Sequence, residues 1–168
     1  MKRVGIVLLS LLALASATPP ATTAVQWRKY DSALQESAKK KRLVLFYLHA
    51  SWCPPCKVME KTTWSDKSVV QMVEASVIPV ELDIDAAQPL LYCGEQRLTV
   101  SACASSYWGV QGLPAIVLLD SQGEYLFHQM GYFDAEMMLS FLKIVQKETP
   151  QILKEIQAYR DSLEKIGR

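Results

Sequence analysis

The segment LVLFYLHASWCPPCKVME, residues 43–60, runs an unbroken apolar stretch straight into two cysteines three positions apart. LVLFYL, residues 43–48, has the length and bulk of a strand covered on both faces, as in a central parallel sheet. Trp52-Cys53-Pro54-Pro55-Cys56 follows at once and is expected to open a helix reaching about residue 61. Proline is tolerated in a first helical turn, where its preset φ helps and its missing N–H leaves no bond unmade.

Two cysteines at this spacing can close a disulfide within one helical turn. A helix N-terminus offers unpaired N–H groups and a partial positive charge, and both favour a thiolate. Cys53 is expected where that field is strongest and where a partner can reach it. Cys56, one turn in, is expected to be more buried and able to attack a mixed disulfide formed at Cys53. Pro54 and Pro55 also remove two N–H groups that would solvate the thiolate. That predicts a less depressed Cys53 pKa and a reductant rather than a strong oxidant. Three other readings compete. A zinc or copper site needs further ligands, and Cys93 and Cys103 supply no second Cys-x-x-Cys, so no metal is expected. A purely structural loop this short stabilises little. Inert buried thiols fit poorly with an exposed helix start.

The rest of the chain alternates helix and strand. Residues 30–41 read as a helix with Asp31 as cap and Ala33, Leu34 and Ala38 on one face. Asp66 caps a short helix to about residue 74, and residues 77–84 form a second strand, weakened at its start by Pro79. AIVLL, residues 115–119, is a third strand. A turn over Asp120-Ser121-Gln122-Gly123 then leads into a fourth, residues 124–130. Asp134 caps a helix with Met138, Phe141, Leu142 and Val145 at i, i+3, i+4 and i+7. Pro150 opens one more helix, residues 150–166, with Ile152, Ile156, Tyr159, Leu163 and Ile166 in one stripe. Packing on its own domain is the expected use of that stripe, giving a monomer; a dimer contact is the other. A parallel crossover followed by a hairpin predicts an α/β fold, a mixed central sheet flanked by helices.

The 168 residues suit one domain, and a half-hydrophobic composition excludes a disordered chain. A formal charge of +1 gives no case for nucleic acid or an anionic membrane surface. Residues 1–17, MKRVGIVLLSLLALASA, place Lys2 and Arg3 before an apolar run and end on small residues, the pattern of a cleavable secretory signal. The run is short for a membrane span; an uncleaved anchor is the competing reading. Residues 18–26 are then a leader and 27–168 the domain, in a compartment where disulfides persist.

Trp52-Cys53-Pro54-Pro55-Cys56-Lys57 after an apolar strand resembles the active site of the thioredoxin superfamily. The segment from Tyr107 to Ala115, YWGVQGLPA, resembles the approach to that family's cis-proline, and Gly131 falls where the family places a glycine. The likeness spans about residues 27–146. HASWCPPCKVMEKTTWSDKSVVQMV is most similar to periplasmic thioredoxin-like proteins related to the C-terminal domain of disulfide-bond protein D, a membrane reductant conductor. The WCPPC core alone is shared with tryparedoxin and nucleoredoxin. The resemblance implies Cys53 as nucleophile, Cys56 as resolving thiol, Pro114 as cis-proline, Leu113 as a backbone partner for an extended substrate, and Trp52 as an apolar rim. It implies protein thiol and disulfide substrates, a membrane reductant conductor as donor, and no bound cofactor. Thiol–disulfide oxidoreductase, in the reducing direction, is the expected activity. Disulfide oxidase or isomerase, and a chaperone-like or metal-binding module, are the alternatives.

Three departures stand out. Where thioredoxins keep a buried Asp, six before the first cysteine, this chain has Tyr47, which leaves Glu81, Asp83 or water as acceptor for the Cys56 proton. His49, four before Cys53, reads as a polar strand end or a proton carrier. Finally, an insertion over about residues 86–106 precedes Pro114 and holds Cys93 and Cys103. A structural disulfide between them is expected, with a second redox pair as the alternative, and the insertion is expected to border the substrate groove.

Overall fold

A computed structural model describes residues 24–166. The expected signal peptide and most of the leader therefore lie outside the described residues. Val25 is buried in the core, and Trp27 stacks on Tyr47 at 5.9 Å and meets Trp64 edge-on at 5.1 Å.

Helix α1 (Tyr30–Lys40) leads to strand β1 (Val44–His49), and α2 (Pro54–Thr62) and α3 (Lys67–Ser76) connect to β2 (Ile78–Asp83). After the insertion come β5 (Ala115–Leu119), β6 (Tyr125–Met130) and α5 (Ala135–Ile166). The sheet order is β2-β1-β5-β6. β1 pairs in parallel with β2 and antiparallel with β5, and β5 antiparallel with β6, so the sheet is mixed as expected. Pro79 sits in β2 without harm because β2 is an edge strand. On its outer side the Arg28 N–H donates to the Pro79 carbonyl at 2.9 Å.

β1 alternates its side chains between two cores. Val44, Phe46 and Leu48 face Tyr30 and Ala33 of α1 and the insertion. Leu45 and Tyr47 face Met59 of α2, Val69, Val70 and Val73 of α3, and Met138, Leu142 and Val145 of α5. Double coverage explains the unbroken apolar run and holds the C-terminal end of β1, where the motif begins, between two packed layers.

Two caps form as expected. Asp66 accepts from the Ser68 and Val69 amides, and Asp134 from that of Met137 at 2.8 Å. The expected cap of α1 does not form. Lys29 occupies that position with no side-chain bond, and Asp31 lies inside the first turn, where its charge meets the positive helix end. The expected break at Pro150 is also absent, because α5 runs through it as one helix of 32 residues. The Thr149 hydroxyl donates to the Val145 carbonyl just before the proline, and Leu153 packs on the core beyond it. Tyr159 of the C-terminal stripe is exposed; the side chains of Ile156, Leu163 and Ile166 lie outside those described.

The insertion is built into the domain rather than draped over it. It forms a hairpin of β3 (Leu91–Cys93) and β4 (Gln96–Leu98), turned at Gly94 with φ +63°, which favours glycine. A short helical turn α4 (Val100–Ala102) continues into a π-helical turn over Cys103–Tyr107. A disulfide joins Cys93 to Cys103 with Cα atoms 5.9 Å apart. The Tyr92 N–H donates to the Tyr30 hydroxyl at 2.7 Å, and Trp108 packs on Phe46 at 5.6 Å.

Candidate active site

The turn after β1 delivers Cys53 to the N-cap of α2, in extended backbone with φ −88° and ψ 103°. Its N–H donates to the Ala50 carbonyl at 3.1 Å, and its carbonyl accepts from Lys57 at 3.2 Å, beginning the helix. Pro54 and Pro55 fill the first two helical positions. The first amide able to reach the cap is therefore that of Cys56, and it donates to Cys53 Sγ at 3.3 Å. Cys53 and Cys56 are joined as a disulfide, with Cα atoms 5.3 Å apart.

The expectation of an accessible first sulfur needs correction. Cys53 is only 2% exposed and Cys56 is fully buried. They pack with Ala50, Ile84 and Leu113 in a small apolar cluster. Cys53 lies at the bottom of an open groove of about 550 Å³ rather than on a bare helix tip. The reason is coverage. Trp52, Pro54 and Pro55, the segment before Pro114 and part of the insertion line the groove with it.

Trp52 is 61% exposed, and its Nε1–H donates to Asp85 Oδ2 at 2.7 Å, which fixes the indole on the groove rim. The Leu113–Pro114 peptide is cis. Pro114 is buried at the start of β5, and its carbonyl accepts from the Gly131 N–H at 2.8 Å, anchoring the loop to the end of β6. Trp52, Cys53 and Leu113 thus line one groove, Cys56 is buried next to Cys53 and Pro114 next to Leu113, and Cys103 directly precedes the lining residue Ala104. Sequence reasoning missed Ile84 and Asp85; it expected the insertion to border the groove but did not single out Ser101, Ala104 and Ser105, which line it. Ile84 and Asp85 directly follow β2. The ends of adjacent parallel strands are where α/β proteins bind ligands, so a signal for them existed.

Tyr47 occupies the place of the family's buried acid. It is fully buried, and its hydroxyl donates to the Cys56 carbonyl at 3.3 Å. Burial pushes its pKa far above the usual 10, and the nearby Glu60 adds to the shift, so Tyr47 holds its proton. His49 stacks on Tyr47 at 5.4 Å. Its Nδ1 lies 3.7 Å from Glu60 Oε1 and its Nε2 3.6 Å from Glu81 Oε1. Burial raises the Glu81 pKa, Glu60 and Asp83 raise it further, and His49 opposes them. Ligand atoms of these three residues come within 4.8 Å of one another. The carboxylates nonetheless face opposite nitrogens of the ring, an arrangement suited to clamping an imidazole between two acids.

Residues 30–146 match the family described as "Thioredoxin-like domain". The chain belongs to the thioredoxin-like domain family. The thioredoxin-like domain here is 30% identical over 114 residues to the thiol:disulfide interchange protein DsbD of Actinobacillus pleuropneumoniae serotype 5b, covering 65% of this chain and 18% of that protein. DsbD of Yersinia pestis (strain Pestoides F) is 30% identical over 113 residues, covering 66% and 16% respectively. Among solved structures, the DsbH oxidoreductase superposes with a TM-score of 0.61 at 24% identity, over 80% of this chain and 92% of that one. A thioredoxin from Thermus thermophilus gives 0.60 at 22%, over 75% and 90%. The reduced DsbD C-terminal domain of Neisseria meningitidis gives 0.51 at 20%, over 67% and 90%. These structural likenesses bear on the fold. With its Cys-x-x-Cys pair, this thioredoxin-like chain is a thiol–disulfide oxidoreductase of thioredoxin type.

Proposed function

We propose that this chain reduces disulfides of other proteins outside the cytoplasm, with Cys53 as attacking thiolate and Cys56 as resolving thiol. The observation that carries the reading is the helix-capping Cys53–Cys56 disulfide at the bottom of a groove walled by the cis Leu113–Pro114 segment.

In the reduced protein the Cys53 thiolate attacks one sulfur of a substrate disulfide. A mixed disulfide forms, and the first substrate sulfur leaves as a thiolate that takes up a proton. Cys56 then gives up its proton and attacks Cys53 Sγ, releasing the second substrate thiol and regenerating the Cys53–Cys56 disulfide. Two electrons pass to the substrate, and a thiol donor restores the pair. Tyr47 keeps its proton and does not accept the one from Cys56; Glu81, Asp83 or water takes that role. Leu113 offers its backbone to an extended substrate, Trp52 forms the rim, and the Cys93–Cys103 disulfide is structural.

The reducing direction rests on Pro54 and Pro55, since a sulfur with a single amide donor is a modestly stabilised thiolate. The 1–17 pattern supports export to the periplasm, and likeness to part of DsbD supports a membrane reductant conductor as donor. The chain spans 18% of that relative's length.

The test is insulin reduction with wild type and Cys53→Ser, together with equilibration against a thiol–disulfide buffer. The expected result is turnover that disappears in the variant, and a potential near the roughly −270 mV of thioredoxin. A potential close to the roughly −120 mV of a strong oxidant would reverse the assigned direction. Wild-type turnover no higher than that of the variant and of a protein-free blank would leave only a binding module.

A further inference from the structure

The groove over Cys53 has walls of different origin. Besides Trp52 and the two prolines, its lining draws on Ser101, Ala104 and Ser105 of the insertion and on residues 110–113 of the segment before Pro114. Apart from Cys53, whose sulfur is ionised when it attacks, no side chain lining the groove is of a charged type. The nearby Asp85 carboxylate is engaged by the Trp52 indole at the rim.

The insertion's share of this wall is held from behind. Cys103, one residue before Ala104, is bonded to Cys93, and both are buried among Leu91, Val100 and Trp108. The Val110 N–H donates to the Ala104 carbonyl at 2.8 Å, tying the wall to the segment that leads into cis-Pro114. The Trp108 N–H donates to the Cys103 carbonyl at 3.0 Å. Wall, staple and cis-proline loop therefore form one continuous piece of structure.

We infer that the insertion is a substrate-selecting wall: Ser101, Ala104 and Ser105, fixed by the Cys93–Cys103 disulfide, make the groove over Cys53 accept extended segments that are uncharged next to the substrate cysteine. The inference rests on the reductase reading and adds the class of substrate. A lysine or glutamate beside the reacting cysteine loses water in this groove and finds no charged partner in its walls, and the Cys53 charge passes to the leaving sulfur as the new bond forms. Small or apolar neighbours lose nothing, and the two serines offer neutral hydrogen bonds. Discrimination here works by penalising the wrong partner, against either sign of charge.

The experiment uses the pre-reduced full chain in single-turnover reduction of three peptides. Each carries one cysteine disulfide-bonded to a common small thiol, flanked by serine and valine, by lysine, or by glutamate. Rates are divided by those with free dithiothreitol to remove the intrinsic reactivity of each disulfide. The uncharged peptide is expected to react about tenfold faster than either charged one, a modest effect for an open groove. Ser105→Glu is expected to make the lysine peptide the preferred one. Gln146→Glu, the same charge change on the exposed face of α5, is expected to keep the wild-type order. Cys93→Ser/Cys103→Ser is expected to compress the differences between peptides; should it fail to fold, Ser105→Glu still decides. Equal rates for all three peptides, or an unchanged order in Ser105→Glu, overturns the inference while leaving the reductase reading standing. Inertness toward bis(2-hydroxyethyl) disulfide as well removes the chemistry itself and overturns both.

Discussion

Cys53 receives the Cys56 amide and none from the two positions between, because prolines fill them. Pro55→Ala restores an amide at the second helical position, which commonly bonds an N-cap acceptor. One added hydrogen bond to a charged sulfur is worth about 1.5 kcal/mol, so the Cys53 pKa should fall by about one unit. The reduced form is then stabilised and the potential rises by about 30 mV. Thiolate absorbance against pH reads the first and exchange with glutathione the second; no change in either would show that the new amide misses the sulfur. At Tyr47 the expectation is the opposite. Tyr47→Phe removes a donor from the Cys56 carbonyl and should cost about 1 kcal/mol of stability. The pH profile of turnover should stay as it is, because Tyr47 never gives up its proton; a shifted profile would assign it the proton transfer. Glu81 is tested by linkage. Its folded pKa lies above the unfolded value of about 4.3, so the folded state holds the extra proton between the two. Stability from this group is therefore lost as pH rises through that window. Glu81→Gln has no such loss, and its melting temperature relative to wild type should climb with pH across the window. A difference that is flat in pH would show that the carboxyl is unshifted.

The long apolar runs were readable at the level of elements because β1 and β5 are covered on both faces, and the helix after the motif because prolines and cysteines mark its first turn. The strands and turns of the insertion were not readable. Its strands are three residues long, too short for any periodicity, and its register is set by Gly94 and by a disulfide closed in three dimensions. Proline at 150 misled for a different reason. Proline lacks the N–H that continues a helix, yet packing of the flanking turns on the core holds α5 together through it. Pro150 is exposed, so Pro150→Ala should restore one backbone bond with no clash. A gain of about 1–3 kcal/mol in denaturant unfolding is expected. A loss would show that the proline sets a bend that α5 needs for its packing.

Across the whole molecule, the groove draws on the end of β1, the start of α2, the end of β2, the insertion and the loop into β5. The positions of the two cysteines, Trp52, Leu113 and Pro114 at or beside the groove could be anticipated because each sits in a short local motif. The insertion was expected to border the groove, but not which of its residues do so, because Ser101, Ala104 and Ser105 carry no chemistry of their own and matter only through where the fold puts them. The same coverage explains why Cys53 is nearly buried although its helix start reads as exposed. Among the described residues no helix is long and apolar enough to cross a membrane. Because Cys53 is 2% exposed and lines this groove, the proposed protein substrates reach it through the groove, and one sulfur should make the first covalent contact. Incubating reduced Cys56→Ser protein with a disulfide-containing protein and mapping the adduct by mass spectrometry tests this directly. A stable mixed disulfide on Cys53, absent from Cys53→Ser/Cys56→Ser, is expected; adducts confined to Cys93 or Cys103, or none at all, would contradict it.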